Sequence, residues 1–157
     1  MAIRKIYTDD AACLYKKAKP VTVFDERLGQ LLDDMAETMY DADGCGLAAP
    51  QVGILRRVIV MDCTEERNGL IEAVDPEIIH TEGEQGGMEG CLSFPGESGY
   101  VVRPNVVVMR AYDRNGEQFE LRGEGLLARC MMHECDHLDG RVYTSLVIPT
   151  PPDYKED

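Results

Sequence analysis

The sequence predicts an α+β fold in which mixed or antiparallel sheets pack around one central helix that carries an HExxH motif. Short runs of apolar and β-branched residues, such as "RRVIVMD" at 56–62, are separated by turn signals and do not alternate regularly with helices. A helical pattern over 123–140, "GEGLLARCMMHECDHLDG", places both histidines of the motif on its apolar side. We therefore expect most strands to precede this helix and to surround it.

The first half of the chain contains one predicted helix and two predicted strands. Residues 25–41 form the helix, because Asp25 suits the N-cap and apolar residues recur behind it at helical spacing. These residues are Leu28, Leu31, Leu32, Met35 and Met39. The segment "GCGLAAPQVG" at 44–53 is loop-like. A buried strand, "RRVIVMD", follows it, and 70–79 is a second strand that Pro76 breaks.

The second half of the chain is predicted to contain a hairpin and the late helix. Residues 81–90 are rich in turn formers. Residues 105–113 and 117–123 are strands on either side of "RNG", a hairpin turn signal. The late helix is expected to end at Gly140, a typical C′ residue.

Length and composition indicate one domain at residues 1–147 and a short Pro-rich, acidic tail at 148–157, extended or disordered. A formal charge of −13 argues against direct nucleic-acid binding. No apolar run is long enough to span a membrane, and the N-terminus lacks the apolar core of a signal peptide, so we expect a cytoplasmic protein. The six cysteines form no CxxC pair and are interpreted as reduced thiols.

The HExxH motif indicates a metal site. His133 and His137 are i and i+4 on a helix, so both rings leave one face and can converge on one ion. The alternative is a polar helix face that happens to contain two histidines. Because the apolar pattern places both rings on the buried side, where ionisable groups need partners, the metal interpretation is favoured.

A third ligand does not follow the motif. Metallopeptidases with this motif use a histidine six residues beyond the second one, where this chain has Tyr143, or a downstream glutamate, of which only Glu156 in the tail remains. The strongest upstream candidate is Cys91 in "EGCLS", since a thiolate and two imidazoles leave one coordination position open. Taken alone, "EGCLS" is a weak signal, and the alternative is that Cys91 is a small buried hydrophobe.

Three stretches taken together resemble the signature motifs of the peptide deformylases, in order and at similar spacing: "GCGLAAPQVG", "EGCLS" and "HECDHLDG". The resemblance extends over roughly residues 14–147 and includes "RPNVVVMRAYDRNGE" and "EGLLAR". It implies a hydrolase that removes the formyl group from the N-terminal formyl-methionine of newly synthesised proteins. The partners it implies are N-formylmethionyl nascent polypeptides.

The resemblance also implies the metal centre. Cys91, His133 and His137 would bind one divalent ion, with Fe(II) expected and Zn, Ni or Co able to replace it. Water on the metal would attack the formyl carbon. Glu134 would serve as general base and then as general acid.

Further roles follow for the loops. Gln51 and the backbone N–H of Leu92 would donate hydrogen bonds to the developing oxyanion. Glu89 and Arg103 would orient the Cys91 loop. The methionine side chain would lie in an apolar pocket that includes Leu126. The other residues expected at the substrate are Cys45, Gly46, Leu47 and Cys130.

Two alternatives to a deformylase stay open on the sequence. One is a metallopeptidase, which the missing downstream ligand disfavours. The other is a structural zinc module, which a fourth protein ligand such as Cys130 or Cys135 would support. Docking on the ribosome also stays open, but the tail cannot form the basic C-terminal helix that some family members use for it, because it contains three prolines and is acidic.

Overall fold

The computed structural model describes residues 2–155 and contains, within that range, two α-helices, seven strands and three 3₁₀ turns. The helices are α1 (Glu26–Asp41) and α2 (Leu126–Leu138). The strands are β1 (Gly46–Ala48), β2 (Val58–Met61), β3 (Ile71–Glu82), β4 (Gln85–Glu89), β5 (Gly99–Arg103), β6 (Val106–Tyr112) and β7 (Gln118–Glu124). The 3₁₀ turns are Ala12–Tyr15, Ala49–Val52 and Tyr143–Leu146.

The strands form two antiparallel sheets. One has five strands in the order β1-β2-β3-β6-β7, and the other is the hairpin β4-β5. Helix α2 contacts all five strands of the large sheet and also β5 of the hairpin. The predicted α+β class with a central HExxH helix is therefore confirmed.

Strand β2 joins the two halves of the core, because it is buried on both faces. Successive strand side chains point to opposite sides of a sheet. Ile59 and Met61 pack in the cluster that includes α2, whereas Val58 and Val60 pack in the cluster that includes α1. This explains the continuous apolar run in the sequence, which an alternating half-buried strand would not show.

Strand β3 continues through Pro76, although the proline was predicted to break it. The pairing with β6 shifts register between Val74 and Glu77, so Pro76 lies in a bulge where its missing N–H costs no ladder hydrogen bond. Asp75 in the same bulge has φ of 49° and accepts a hydrogen bond from Val21 N at 2.9 Å.

The segment predicted as turns, 81–90, contains the end of β3 and all of β4. Its glycines obscure the strand pattern, because they carry no side chain to alternate. The phenol of Tyr100 on β5 lies over Gly86, where any β-carbon would collide with it. Strand β5 and the short strand β1, within the predicted 44–53 loop, were not predicted either.

The loop after β2 is anchored by Asp62, whose side chain is completely buried. It accepts hydrogen bonds from the Tyr40 hydroxyl and the Thr64 hydroxyl, both at 2.6 Å. Burial alone would raise the pKa of Asp62, but these bonds and two from the backbone N–H groups of Thr64 and Gly69 lower it to about 2. The carboxylate thereby fixes the backbone that carries Cys63.

The described part of the tail, 148–155, lies on the β4-β5 hairpin. Ile148 N donates to Tyr100 O at 3.0 Å, and the Tyr154 ring meets Tyr100 edge-on at 5.1 Å between centroids. The predicted domain end at residue 147 stays a prediction, and Glu156 lies outside the described residues. Among residues 2–155, no helix has the length and apolar character needed to cross a membrane.

Candidate metal centre

Three side chains converge on one point between α2 and the turn after β4. The Nε2 atoms of His133 and His137 lie 3.2 Å apart, and Cys91 Sγ lies 3.3 Å from His137 Nε2. Ligands about 2.0–2.3 Å from a tetrahedral metal would lie roughly 3.3–3.6 Å from one another, so these separations suit a shared ion. Cys91 is held there by a tight turn, in which Phe94 N donates to Cys91 O at 3.0 Å.

The surrounding charge also suits a cation. Burial alone would lower the pKa of His133, but the nearby charges of Glu134, Cys91 and Glu89 raise it well above its usual range. Burial lowers the pKa of His137, and the charge of His133 adds to this effect. A metal ion binds the neutral form of imidazole, which the lowered pKa of His137 favours. The negative groups around His133 would in turn stabilise the positive charge of the ion.

Glu89 is a buried carboxylate with three cationic or imidazole partners. Its Oε2 lies 2.7 Å from His133 Nδ1 and accepts from Arg103 Nη2 at 2.7 Å, and its Oε1 accepts from Arg129 Nη1 at 2.9 Å. Burial alone would raise the pKa of Glu89, but these bonds lower it to about 2. An ionised Glu89 accepts the Nδ1 proton of His133, which leaves the lone pair on Nε2 for an ion.

The Glu89 network extends beyond the predicted pair. That Glu89 and Arg103 orient the Cys91 loop stays a prediction, and the carboxylate also contacts His133 directly. Arg103 also reaches α2, where its Nη1 donates to Asp136 at 2.8 Å. The sequence analysis did not select Arg129 or Asp136. Both lie on the same helix as the histidines, Arg129 four residues before His133 and Asp136 one residue before His137.

Glu134 lies beside the convergence point and is 3% exposed. Its Oε1 has no hydrogen-bond partner among residues 2–155. Burial raises the pKa of Glu134 to about 8. A β-carbon at Gly46 would collide with the Glu134 carboxylate and would lie 2.6 Å from Cys130 Sγ, so only glycine leaves this side of the carboxylate open.

Gln51 is held in one orientation next to Cys91. Its Oε1 accepts from Ala48 N at 2.9 Å, and its Nε2 donates to Ser93 Oγ at 3.1 Å and to Cys91 Sγ at 3.4 Å. The backbone bond to Oε1 fixes the side-chain NH₂ toward the site. Ser93 was not predicted, because no motif marks it; it is fully buried and is the second acceptor of this amide.

A cavity of about 420 Å³ opens beside these groups. It is lined by predicted residues that include Cys45, Gly46, Leu92, Leu126, Cys130 and Glu134. The prediction for Leu47 is wrong for its side chain, which is fully buried in the α1 cluster and is not part of the lining. The cause is strand alternation in β1, which turns Ala48 toward α2 and Leu47 toward α1.

The remaining sequence candidates do not join the centre. Tyr143, at the position where some metallopeptidases have a histidine, stacks on the His133 ring with 5.9 Å between centroids. Among the residues that the structure describes, no fourth ligand completes the group, and Cys130 belongs to a different set of thiols. The structural zinc alternative therefore lacks the fourth protein ligand that would have supported it.

Comparison with known proteins gives consistent matches. The family model for polypeptide deformylase matches residues 3–150. A peptide deformylase of Alkaliphilus metalliredigens is 54% identical over 94% of this chain and 99% of its own length. Peptide deformylase 1 of Bacillus subtilis is 50% identical over 94% of this chain and 91% of its own length. A crystal structure of a peptide deformylase from Legionella pneumophila superposes with a TM-score of 0.91 at 48% identity, covering 94% of this chain and 88% of that one.

These matches, together with the α+β fold, define a hydrolytic enzyme. The chain belongs to the polypeptide deformylase family. The resemblance seen in the sequence is thereby confirmed.

Proposed function

We propose that this chain removes the formyl group from the N-terminal formyl-methionine of newly synthesised polypeptides, with one divalent metal ion held by Cys91, His133 and His137. The observation that carries the proposal is the convergence of three side chains beside a buried face of α2. The Nε2 atoms of His133 and His137 lie 3.2 Å apart, and Cys91 Sγ lies 3.3 Å from His137 Nε2. The relatives that bear the name peptide deformylase support the reaction. Because nascent chains are made in the cytoplasm, we place the reaction there.

The ligand set fits a catalytic rather than a structural ion. Three protein ligands leave a coordination position free, and a mixed set of thiolate and imidazole suits Fe(II), Zn, Ni or Co. We expect Fe(II) as the resident ion. When bound, such an ion supplies a Lewis acid that polarises the formyl carbonyl and makes water acidic enough to react near neutral pH.

Glu134 is proposed as the proton carrier. Its Oε1 is buried and has no hydrogen-bond partner among residues 2–155, and the side chain lines the cavity, so it can accept a proton from the attacking water. Glu134 then passes that proton to the amine of the departing peptide. Gly46 leaves the space in which this transfer occurs.

Gln51 and Leu92 are proposed as the donors to the oxyanion that develops on the formyl oxygen. The Gln51 amide is already oriented by its bond to the Ala48 backbone, so no reorganisation is needed during the reaction. One preorganised donor of this kind lowers a barrier by about 2.7–4 kcal/mol. The Leu92 backbone N–H lies in the same turn as Cys91.

The cavity beside Glu134 is proposed to hold the methionine side chain. Cys45, Cys130 and Leu126 give it walls to which an unbranched thioether can adapt. We expect formyl-Met peptides to be preferred over formyl-Ala peptides by roughly 1–3 kcal/mol or more in kcat/KM. Binding to the ribosome stays open and does not affect this reaction.

The proposal is tested with protein purified without oxygen and assayed on formyl-Met-Ala-Ser. Release of formate with an intact peptide product is expected, as is loss of turnover with a chelator and its recovery with Fe(II) or Ni(II). Cleavage of a peptide bond instead would identify a metallopeptidase. Full turnover after complete metal removal would overturn the metal centre.

A further inference from the structure

A second group of thiols lies next to the catalytic cavity. The Sγ atoms of Cys45, Cys63 and Cys130 all lie within 4.8 Å of one another. Each comes from a different element: Cys45 precedes β1, Cys63 follows β2, and Cys130 lies in the second turn of α2. All three are free thiols.

The backbone holds this arrangement independently of the proposed metal centre. Strands β1 and β2 pair so that Gly46 faces Met61, and Asp62 N donates to Cys45 O at 2.9 Å. The thiol of Cys130 also donates to Cys45 O, at 3.4 Å. Cys45 is therefore held beside Asp62, the neighbour of Cys63, and the bond from Cys130 brings α2 to the same point.

The geometry suits a cation with three sulfur ligands. Three sulfurs about 2.3 Å from a common centre lie about 4 Å from one another, which is within the observed separations. Thiolates select soft cations over hard ones.

The site has an entry path and a consequence for the reaction. Cys45 is exposed and lines the cavity, whereas Cys63 is half-buried and Cys130 is buried. Glu134 Oε2 lies 4.0 Å from Cys130 Sγ. An ion held by the three sulfurs would therefore lie beside the carboxylate proposed to carry the proton.

We propose that Cys45, Cys63 and Cys130 form a second metal site, specific for a soft thiophilic cation such as Cd(II) or Cu(I), whose occupancy suppresses turnover. Three S–H protons are released to solvent as three metal–sulfur bonds form, and no electron is transferred. Binding at this site does not depend on the proposed function, whereas the loss of turnover does. If the three cysteines were only small apolar core residues, they would bind no ion.

The test uses the enzyme loaded with nickel and titrated with CdCl₂. Binding is followed by the ultraviolet sulfur-to-cadmium charge-transfer band, turnover is measured on formyl-Met-Ala-Ser, and released nickel is measured in parallel. We expect one additional Cd(II) with three thiolates, at least about a tenfold loss of turnover, and no release of nickel.

Cys63→Ser is the informative variant, because Cys63 lies outside the cavity lining and the proposed catalytic groups. It should keep basal turnover and require at least about tenfold more Cd(II) for the same occupancy and inhibition. Cys13→Ser is the matched control, since Cys13 belongs to neither thiol group, and it should behave as wild type. If Cys63→Ser unfolds, Cys63→Ala replaces it.

Two results would overturn the proposal. One is equal cadmium binding by Cys63→Ser and wild type. The other is a wild-type band that grows only as nickel is released, because this would place Cd(II) at the Cys91 centre. If the protein binds Cd(II) as expected but has no deformylase activity, the second metal site is supported and only the proposed function is refuted.

Discussion

Replacing Glu89 by glutamine tests whether one buried carboxylate supports both the fold and the metal centre. The change keeps the size of the side chain and removes its charge. Arg103 would keep its bond to Asp136, and Arg129 would keep its bond to the Val101 carbonyl at 3.1 Å. Both guanidinium groups would nevertheless lose their shared anion in a buried place.

The expected magnitude follows from these remaining partners. Breaking a buried ion pair costs about 3–5 kcal/mol, and because each arginine keeps one acceptor we expect the lower end, about 3 kcal/mol, in the free energy of unfolding. The metal affinity should fall about 10- to 100-fold. The reason is that an amide donating to His133 Nδ1 would move the ring proton to Nε2, where an ion must bind.

Urea unfolding at neutral pH and competition with a chromogenic chelator measure the two quantities. Glu120→Gln is the matched control, because it removes a carboxylate whose 3.0 Å pair with Arg110 is more than 40% exposed on both sides. It should cost no more than about 1 kcal/mol and leave metal affinity unchanged. A Glu89→Gln protein that matches this control in both assays would refute the reasoning.

Three other changes test the site and the fold. Alanine at Cys91, His133 or His137 should each abolish stoichiometric metal binding, and full occupancy in Cys91→Ala, measured by elemental analysis, would exclude that ligand set. Glu134→Gln should retain the metal and lose at least ~10²-fold in kcat, so near-normal turnover would leave the proton carrier unidentified. Because the pKa of Asp62 is lowered from 3.8 to about 2, its contribution of about 2 kcal/mol is present above pH 4 and is lost as the pH falls toward 2. Asp62→Asn should therefore show a weaker loss of stability over that window in urea titrations, and parallel curves for both proteins would contradict the assignment.

Local patterns were enough to predict much of the fold. Helix α1, with its Asp25 cap, and α2 were predicted because their apolar spacing is contained in the segment itself, and Leu28 N does donate to Asp25 at 3.1 Å. Strand β4 could not be predicted, because "QGGME" has no alternating side chains and is stabilised by β5, which lies beyond the Cys91 turn. The bulge at Pro76 likewise depends on a register with β6 that no local pattern specifies.

In the candidate site, too, local patterns could be predicted and contacts between distant segments could not. His133, Glu134 and His137 share one helix, so their spacing alone suggests a common role. Cys91 could be selected only by excluding other ligands and by resemblance to a family, since its distance to His137 depends on the packing of a distant turn. Cys63 gave no signal, because its proximity to two other thiols results from the pairing of β1 with β2.

The hydrogen bonds between the proposed metal ligands and their neighbours bear on how the enzyme would acquire its ion. His133 is held by Glu89, Cys91 contacts the fixed Gln51 amide, and both histidines belong to a helix buried in the core. Because protein contacts hold the proposed ligands, we expect the chain to fold first and to bind its ion afterwards. This separates the enzyme from small zinc modules, in which metal uptake and folding are one event. We would then expect the bound ion to depend on which metals the cell supplies, and to be exchangeable without unfolding.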